Sequence, residues 1–491
     1  MADINWTKEQ QDAITKKNSN ILVAAAAGSG KTAVLVERII RKIIDNKVDI
    51  DKILVVTFTN AAASEMRAKI LDAIYKKIDK NPEDIVLQRQ INLLNKASIC
   101  TIDSFCLDVV RNNFFEIDVS ANARIADITE VTLLKEETIE EIFEEKYMND
   151  NKDFLSLIDT YTKYNKDEDL SDLIIEIYNY IQTNPFPEQW LNEKVDMFKE
   201  ENLCDNFSES LWGNVITKYA EKILDNCILK DKKILKEMQR FSELEKFSNI
   251  ITEDIDIYDQ MKEKLNNWDK LVELLSNFKH RTWPTDKKID NPLKDEAKQI
   301  RDEVKKEYSK ISQIISYSTK QANDDIKYMY EILVKLKEIV FEFSKKYDDK
   351  KREKNIMDFN DMEHFALKIL VKKDENGNIV KTDVAKRYEE KFEEIAIDEY
   401  QDSNSVQEYI LNSISKGNNI FMVGDVKQSI YKFRQACPEL FLKKYDSYKI
   451  NPTAGENRKI QLFKNFRSRE NILKFTNIVF DNIMSKKLRR Y

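Results

Sequence analysis

The chain has 491 residues, too many for a single hydrophobic core, and roughly two to four domains are expected. With 42% apolar and 10% aromatic residues it has ample material for burial, which excludes a disordered chain. A formal net charge of −7 excludes a protein coated in basic surface, although a positive groove for nucleic acid fits inside an acidic whole.

In chain order, Trp6–Ile14 carries a short helical pattern that includes Gln10, whose amide offers a donor and an acceptor together, as an adenine edge requires. An ordinary surface glutamine fits the same pattern. The apolar run Ile21–Val23 predicts a buried strand. It leads into Ala25-Ala26-Ala27-Gly28-Ser29-Gly30-Lys31-Thr32, and Val34, Leu35, Ile39, Ile40, Ile43 and Ile44 then recur at helical spacing up to about Asn46. Strand, small-residue loop, Lys-Thr and helix is the arrangement that cradles a nucleotide's phosphates. Loop N–H groups and the helix N-terminus face the anion, Lys31 reaches its oxygens, and the Thr32 hydroxyl is placed to ligate Mg²⁺. Ala25 stands where the motif usually begins with glycine.

A second buried run, Ile53–Val56, opens onto Thr57-Phe58-Thr59-Asn60 and a helix. Thr59 or Asn60 caps that helix, and the same small polar groups suit a phosphodiester backbone. Ala97–Thr101 is a third strand, followed by Asp103 and another helix. Strand alternating with helix predicts a parallel sheet covered by helices.

From about residue 125 to 350 the chain turns Glu/Lys/Leu/Ile-rich with helical periodicity, and between Lys31 and Gly377 it holds the single glycine Gly213. This predicts an all-α insertion with solvated charged faces, its tryptophans Trp190, Trp212, Trp268 and Trp283 serving core or interface. His280 and His364 stand apart, without metal-ligand spacing. The five cysteines include no Cys-x-x-Cys pair, which argues against zinc and disulfides and fits a reducing cytoplasm. The N-terminus is polar, and no window approaches the ~18 apolar residues of a membrane span.

Strands resume at Glu394–Ile397, ending in Asp398-Glu399, and at Ile420–Val423, ending in Gly424-Asp425 and then Gln428 and Tyr431. Asp398 is placed to hold Mg²⁺ opposite Thr32, and Glu399 to orient and deprotonate an attacking water. Gln428 is a candidate γ-phosphate sensor, Arg467 a candidate donor of positive charge to the transferring phosphoryl group, and Phe466 a platform for adenine. An ordinary polar loop accounts equally for Gln428, and a surface salt bridge for Arg467.

This ordered set resembles the motifs of the UvrD-like branch of superfamily 1 DNA helicases. It is most similar to the AddA-type helicase-nucleases, in particular through Val423–Arg434 and Arg124–Asp127 with Glu130. Within that branch Ala25 is usual, whereas Asp103 replaces a common histidine. The resemblance implies a RecA-like fold, ATP and Mg²⁺ as cofactors, and 3′-to-5′ movement on single-stranded DNA during double-strand-break processing. It also implies a heterodimeric partner similar to AddB or RexB, single-stranded and end-containing double-stranded DNA as ligands, and no membrane. By the family pattern Gln10, the loop Ala25–Thr32 (with Ala26, Ala27, Gly28, Ser29 and Gly30) and Phe466 hold the nucleotide. Lys31, Thr32, Asp398, Glu399, Gln428 and Arg467 support its hydrolysis. Phe58, Thr59, Asn60, Thr101, Tyr431 and Phe433 lie along the strand of DNA.

The expected organisation is a RecA-like motor domain over 1–120 and 355–460, a helical insertion over 121–354, and the start of a second, truncated RecA-like domain over 461–491. The family's later motifs and its nuclease do not appear in this sequence, so a longer native polypeptide is expected. A binding module that takes up ATP and DNA without unwinding is the alternative. A loop ATPase of the recombination or SMC-like class is disfavoured, because its signature loop and heptad arms are missing from the pattern.

Overall fold

A computed structural model describes residues 5–117, 119–120, 122–162, 167–285, 289–432 and 436–483. The chain divides into two compact units. The first comprises residues 1–145, 171–187 and 342–491, and the second residues 146–170 and 188–341.

The first unit is built on the short apolar runs. Helix α1 (Lys8–Thr15) precedes β1 (Ile21–Ala25), and α2 (Lys31–Asn46) leads to β2 (Ile53–Thr57). Helices α3 (Asn60–Ile78) and α4 (Ile85–Leu93) precede β3 (Ser98–Thr101), and α5 (Ile102–Asn112) follows it. Two-residue strands β4 (Arg124–Ile125) and β5 (Ile356–Met357) pair with each other, and β6 (Val371–Lys373) and β7 (Ile379–Lys381) form a hairpin. Then come β8 (Glu394–Ile397), β9 (Ile420–Gly424) and β10 (Arg458–Leu462). The main sheet is parallel throughout, in the order β10-β1-β9-β8-β2-β3.

Both faces are covered, so the inner strands read as continuous apolar runs rather than alternating ones. Ile21, Val23 and Ala25 of β1 pack with Val34, Leu35 and Ile39 of α2 and Met66 and Ile70 of α3. Leu22, one residue out of step, joins the opposite core with Phe105 and Val109 of α5 and Met362 and Leu370 of the helix Phe359–Leu370.

Two expected boundaries shift. Gln461 and Leu462 lie in β10, paired with Ala24 and Ala25, so the first sheet runs past the boundary set at 460. The helical insertion is also narrower than 121–354. The helix Ile128–Met148, up to Glu145, and the stretch from Glu342 belong to the sheet-bearing unit, where Lys346 pairs with Glu145 and Lys350 with Glu141.

The second unit is all helical in its described residues, with a core shared by the helices Leu211–Met238, Glu245–Glu263, Trp268–Asn277 and Pro292–Ile314. Trp268 is buried there, and Trp212 and Trp283 pack against the same core. Gly213 is required by close approach, since a side chain on it would fall 1.7 Å from the Phe207 carbonyl oxygen.

Candidate active site

The site forms where β1, β8 and β9 end. The chain leaves β1 into a loop whose Gly28 and Gly30 adopt left-handed φ of 70° and 85°, a conformation glycine takes without strain. Gly30 caps α2 and has no side chain to satisfy its first turn, so the N–H groups there remain for an anion. The buried Ser29 hydroxyl has no hydrogen-bond partner among the described residues. The loop is held from outside by Asn465 and Phe466. Asn465 Nδ2 donates to the Ala27 carbonyl at 2.8 Å, and the Phe466 N–H donates to the Gly28 carbonyl at 2.8 Å. A side chain on Gly28 would meet the Asn465 amide at 2.7 Å.

Gln10 is buried beside the loop. Its Oε1 accepts from the Thr7 N–H at 3.0 Å and its Nε2 donates to the Ser29 carbonyl at 3.0 Å, which fixes the amide's orientation. Gln10, Ser29 and Phe466 line one pocket of about 130 Å³ together with Thr7, Leu462 and Phe463. The two residues assigned to adenine from the sequence therefore meet at one place.

Lys31 opens α2, and its Nζ lies 2.8 Å from Glu399 Oε2. Glu399 follows β8 in a left-handed conformation (φ 51°) that is uncommon for a residue with a side chain, a strain of the kind concentrated at functional sites. Its neighbour Asp398 continues the β8 register, donating its N–H to the Val56 carbonyl at 2.9 Å. Burial, and then the Glu399 charge, push the Asp398 carboxyl up to about 6, with Lys31 opposing them. Thr32 is half-buried in the first turn of α2.

Beyond β9, Gln428 Nε2 donates to the buried Asp425 Oδ2 at 2.9 Å. Three residues further on, the Tyr431 ring sits 4.5 Å from the Phe58 ring, centroid to centroid. Phe58 also lines a cleft of about 550 Å³ that reaches Asp398 and Glu399, with Thr101, Asp103, Phe359 and Glu363 on its walls. Thr59 caps α3, its Oγ1 accepting from the Ala62 N–H at 3.1 Å, and Asn60 is exposed beside it. Thr101 is buried and caps α5, its hydroxyl engaged with Ser104 at 2.9 Å. Arg467 is exposed on the turn after Phe466, its N–H held by Asn465 Oδ1. Phe433 lies outside the described residues.

The model for the UvrD/REP helicase N-terminal domain matches this chain over residues 6–239 and 191–449. The chain belongs to that family. The fold is accordingly the RecA-like helicase domain, an α/β unit whose parallel sheet carries the phosphate loop at one end. Curated relatives are similar along nearly the whole chain. The A subunit of the ATP-dependent helicase/nuclease of Clostridium acetobutylicum is 46% identical over 98% of this chain and 40% of its own length. Its counterpart in Clostridioides difficile is 45% identical over 99% and 39%, and that of a Thermoanaerobacter species 46% over 98% and 40%. The chain thus spans about 40% of the length of the relatives it matches.

The loop suits a nucleotide's phosphates, because backbone donors, Lys31 and the Ser29 hydroxyl, which has no partner among the described residues, converge there. No cluster of three or more His, Cys, Asp or Glu suited to a metal occurs among the described residues. A Mg²⁺ with few protein ligands, sharing its shell with phosphates and water, is the mode such a site permits.

Three further residues matter that the sequence pattern alone leaves without a role: Asn465, Gln401 and Asp425. Asn465 acts through Ala27, and Gln401 and Asp425 are joined to each other across the sheet end, although Gln401 also grips its near neighbours Glu399 and Asp402. No described helix is long and apolar enough to cross a membrane.

Proposed function

We propose that this chain is the ATP-hydrolysing motor portion of an AddA-type helicase-nuclease. It would work in the cytoplasm with a second protein similar to AddB or RexB, on DNA ends at double-strand breaks. The meeting of Lys31 with Glu399 at 2.8 Å carries the reading, since it joins the phosphate loop to the carboxylates of β8. The Phe58–Tyr431 ring contact supports it from the DNA side.

In this reading the loop Ala25–Gly30 and the start of α2 wrap the phosphates, Lys31 neutralises their charge, and Gln10 and Phe466 hold the adenine between them. Thr32 and Asp398 would hold the Mg²⁺, which supplies charge neutralisation on the phosphate oxygens. Glu399 orients the attacking water and takes its proton. Gln428 senses the γ-phosphate from the β9 loop, and Arg467 supplies positive charge from the segment after β10. Phe58 and Tyr431 stack on bases, with Phe433 assigned beside them from the sequence. Thr59, Asn60 and Thr101 line the backbone path. Stacking tolerates any base, as movement 3′-to-5′ along arbitrary sequence requires. Residues after Leu462 open a second RecA-like domain, and unwinding is ascribed to the complete polypeptide rather than to these 491 residues alone.

Lys31→Ala in the complete polypeptide is expected to lower DNA-stimulated ATP turnover by about 10²-fold or more, the usual cost of losing a preorganised donor to developing charge. Turnover equal to wild type would overturn the reading.

A further inference from the structure

Gln401 lies buried between the two strand ends that carry the proposed chemistry, and every polar group of its side chain is used. Nε2 donates to Glu399 Oε2 at 3.0 Å and to Asp402 Oδ2 at 3.1 Å, while Oε1 accepts the Asp425 N–H at 3.0 Å. A second link runs through its backbone, where the Ser429 hydroxyl donates to the Gln401 carbonyl at 3.4 Å. The amide packs directly against the β9 backbone. A side chain on Gly424 would fall 2.4 Å from Gln401 Oε1. The residues it grips on the β9 side, Asp425 and Ser429, bracket Gln428 and sit just before Tyr431, whose ring lies against Phe58.

We infer that Gln401 is the positioning residue that makes ATP hydrolysis depend on DNA, by tying the Glu399 carboxylate to the loop that ends in Tyr431. This rests on the motor reading above. Lys31 and Gln401 both donate to the same oxygen, Glu399 Oε2, and Oε1 takes neither of those bonds. When a nucleotide's phosphates draw Lys31 away, Gln401 is the donor that keeps Oε2 in place and Oε1 turned to the water. A base that stacks on Tyr431 shifts or steadies residues 425–431, and the Asp425–Gln401 bond passes that on to Glu399. Such a path counts as coupling only if both ends bias one element, which a double-mutant cycle can decide.

The experiment measures ATP turnover of the complete polypeptide with and without oligo(dT), together with ATP KM, oligo(dT) Kd and melting midpoint. In Gln401→Leu the ratio of stimulated to basal turnover is expected to fall at least tenfold, with ATP KM and oligo(dT) Kd within about threefold of wild type. Gly424→Ala is expected to lower the same ratio with Gln401 intact, by displacing its amide. If Gln401→Leu folds poorly, Ser429→Ala, which removes the second link together with the Ser429 side chain's bond to Asp402, is expected to lower the ratio by a smaller factor. In the cycle Gln401→Leu with Tyr431→Ala, the double variant is expected to lose little beyond either single one. A wild-type ratio retained in Gln401→Leu or Gly424→Ala, or losses that multiply in the cycle, would overturn the inference and leave the motor reading standing. Absence of DNA stimulation in the wild-type protein would instead remove the motor reading, and this inference with it.

Discussion

The two ends of β8 hold carboxylates in opposite circumstances. Glu394 begins the strand and Asp398 follows its last residue. Both are largely withdrawn from water, and burial pushes both acids up. At Glu394 the cations win. Arg38 Nε and Nη2 meet it at 2.9 and 2.8 Å, Lys42 at 2.6 Å, and together they hold the carboxyl below its ordinary value. At Asp398 the Glu399 charge adds to burial and outweighs Lys31, and the group is pushed up to about 6. One end of the strand is compensated within the protein. The other is left with a charge deficit that a cation from outside would fill, which is where the chemistry is proposed.

The largest effect on this contrast should come from Glu394→Gln. It leaves Arg38 and Lys42 without their anion, and removal of one partner from a buried pair costs about 3–5 kcal/mol. Arg38 also donates to the Ala13 and Lys16 carbonyls at 2.7 and 2.8 Å, so the loss should loosen α1 and with it Gln10. Urea unfolding is expected to show the drop with an unchanged denaturant slope. A loss below about 1 kcal/mol would mean that Glu394 contributes no more than an exposed ion pair.

Asp398→Asn should act in the opposite direction on stability. A folded-state value near 6, above the ordinary 3.8, means the folded protein binds a proton that the unfolded chain has released. Stability contributed by that proton is present below the ordinary value and is lost as pH rises through about 6. In metal-free buffer at pH 8 the asparagine variant is expected to be more stable by about 1–3 kcal/mol, with a flatter profile between pH 4 and 7. ATP turnover should fall at the same time, a trade expected where a site is kept uncompensated. A variant less stable than wild type at pH 8 would show that Asp398 is satisfied in the folded protein.

The same contrast explains what is legible in the sequence. The phosphate loop and Asp398-Glu399 can be read because each is a contiguous motif at the end of an apolar run. The parallel sheet follows from those runs, Ile21–Val23, Ile53–Val56, Glu394–Ile397 and Ile420–Val423. Strand β10 is cut by the expected boundary because Arg458-Lys459-Ile460-Gln461-Leu462 alternates, as an edge strand half open to water does. The insertion's limits are misplaced for a different reason. Helical periodicity reveals that Ile128–Met148 has an apolar face, but not which core that face joins. Gln401 and Asn465 are opaque because a polar side chain's role is set by partners brought in by the fold, here Asp425 and Ala27.

A third carboxylate shows that charge alone does not make a site. Asp231, in the helical unit, is fully buried and has neither oxygen hydrogen-bonded among the described residues. Burial, and then the Asp254 charge, raise it to about 7, although Arg301 opposes them. Its shift exceeds that of Asp398, yet no phosphate loop or glycine turn accompanies it. Arg301 is already committed to Asp254, at 2.5 Å from Nε. What distinguishes Asp398 is the loop and lysine it faces. Asp231→Asn is expected to stabilise the protein by about 1–2 kcal/mol above pH 7, the scale of an unsatisfied buried polar group. The gain should shrink as pH falls from about 7 toward the ordinary 3.8, below which both folded and unfolded chains hold the Asp231 proton. ATP turnover and oligo(dT) affinity should not change. A loss of turnover in Asp231→Asn would show that the helical unit takes part in the chemistry, and the division drawn between these two acids would fall.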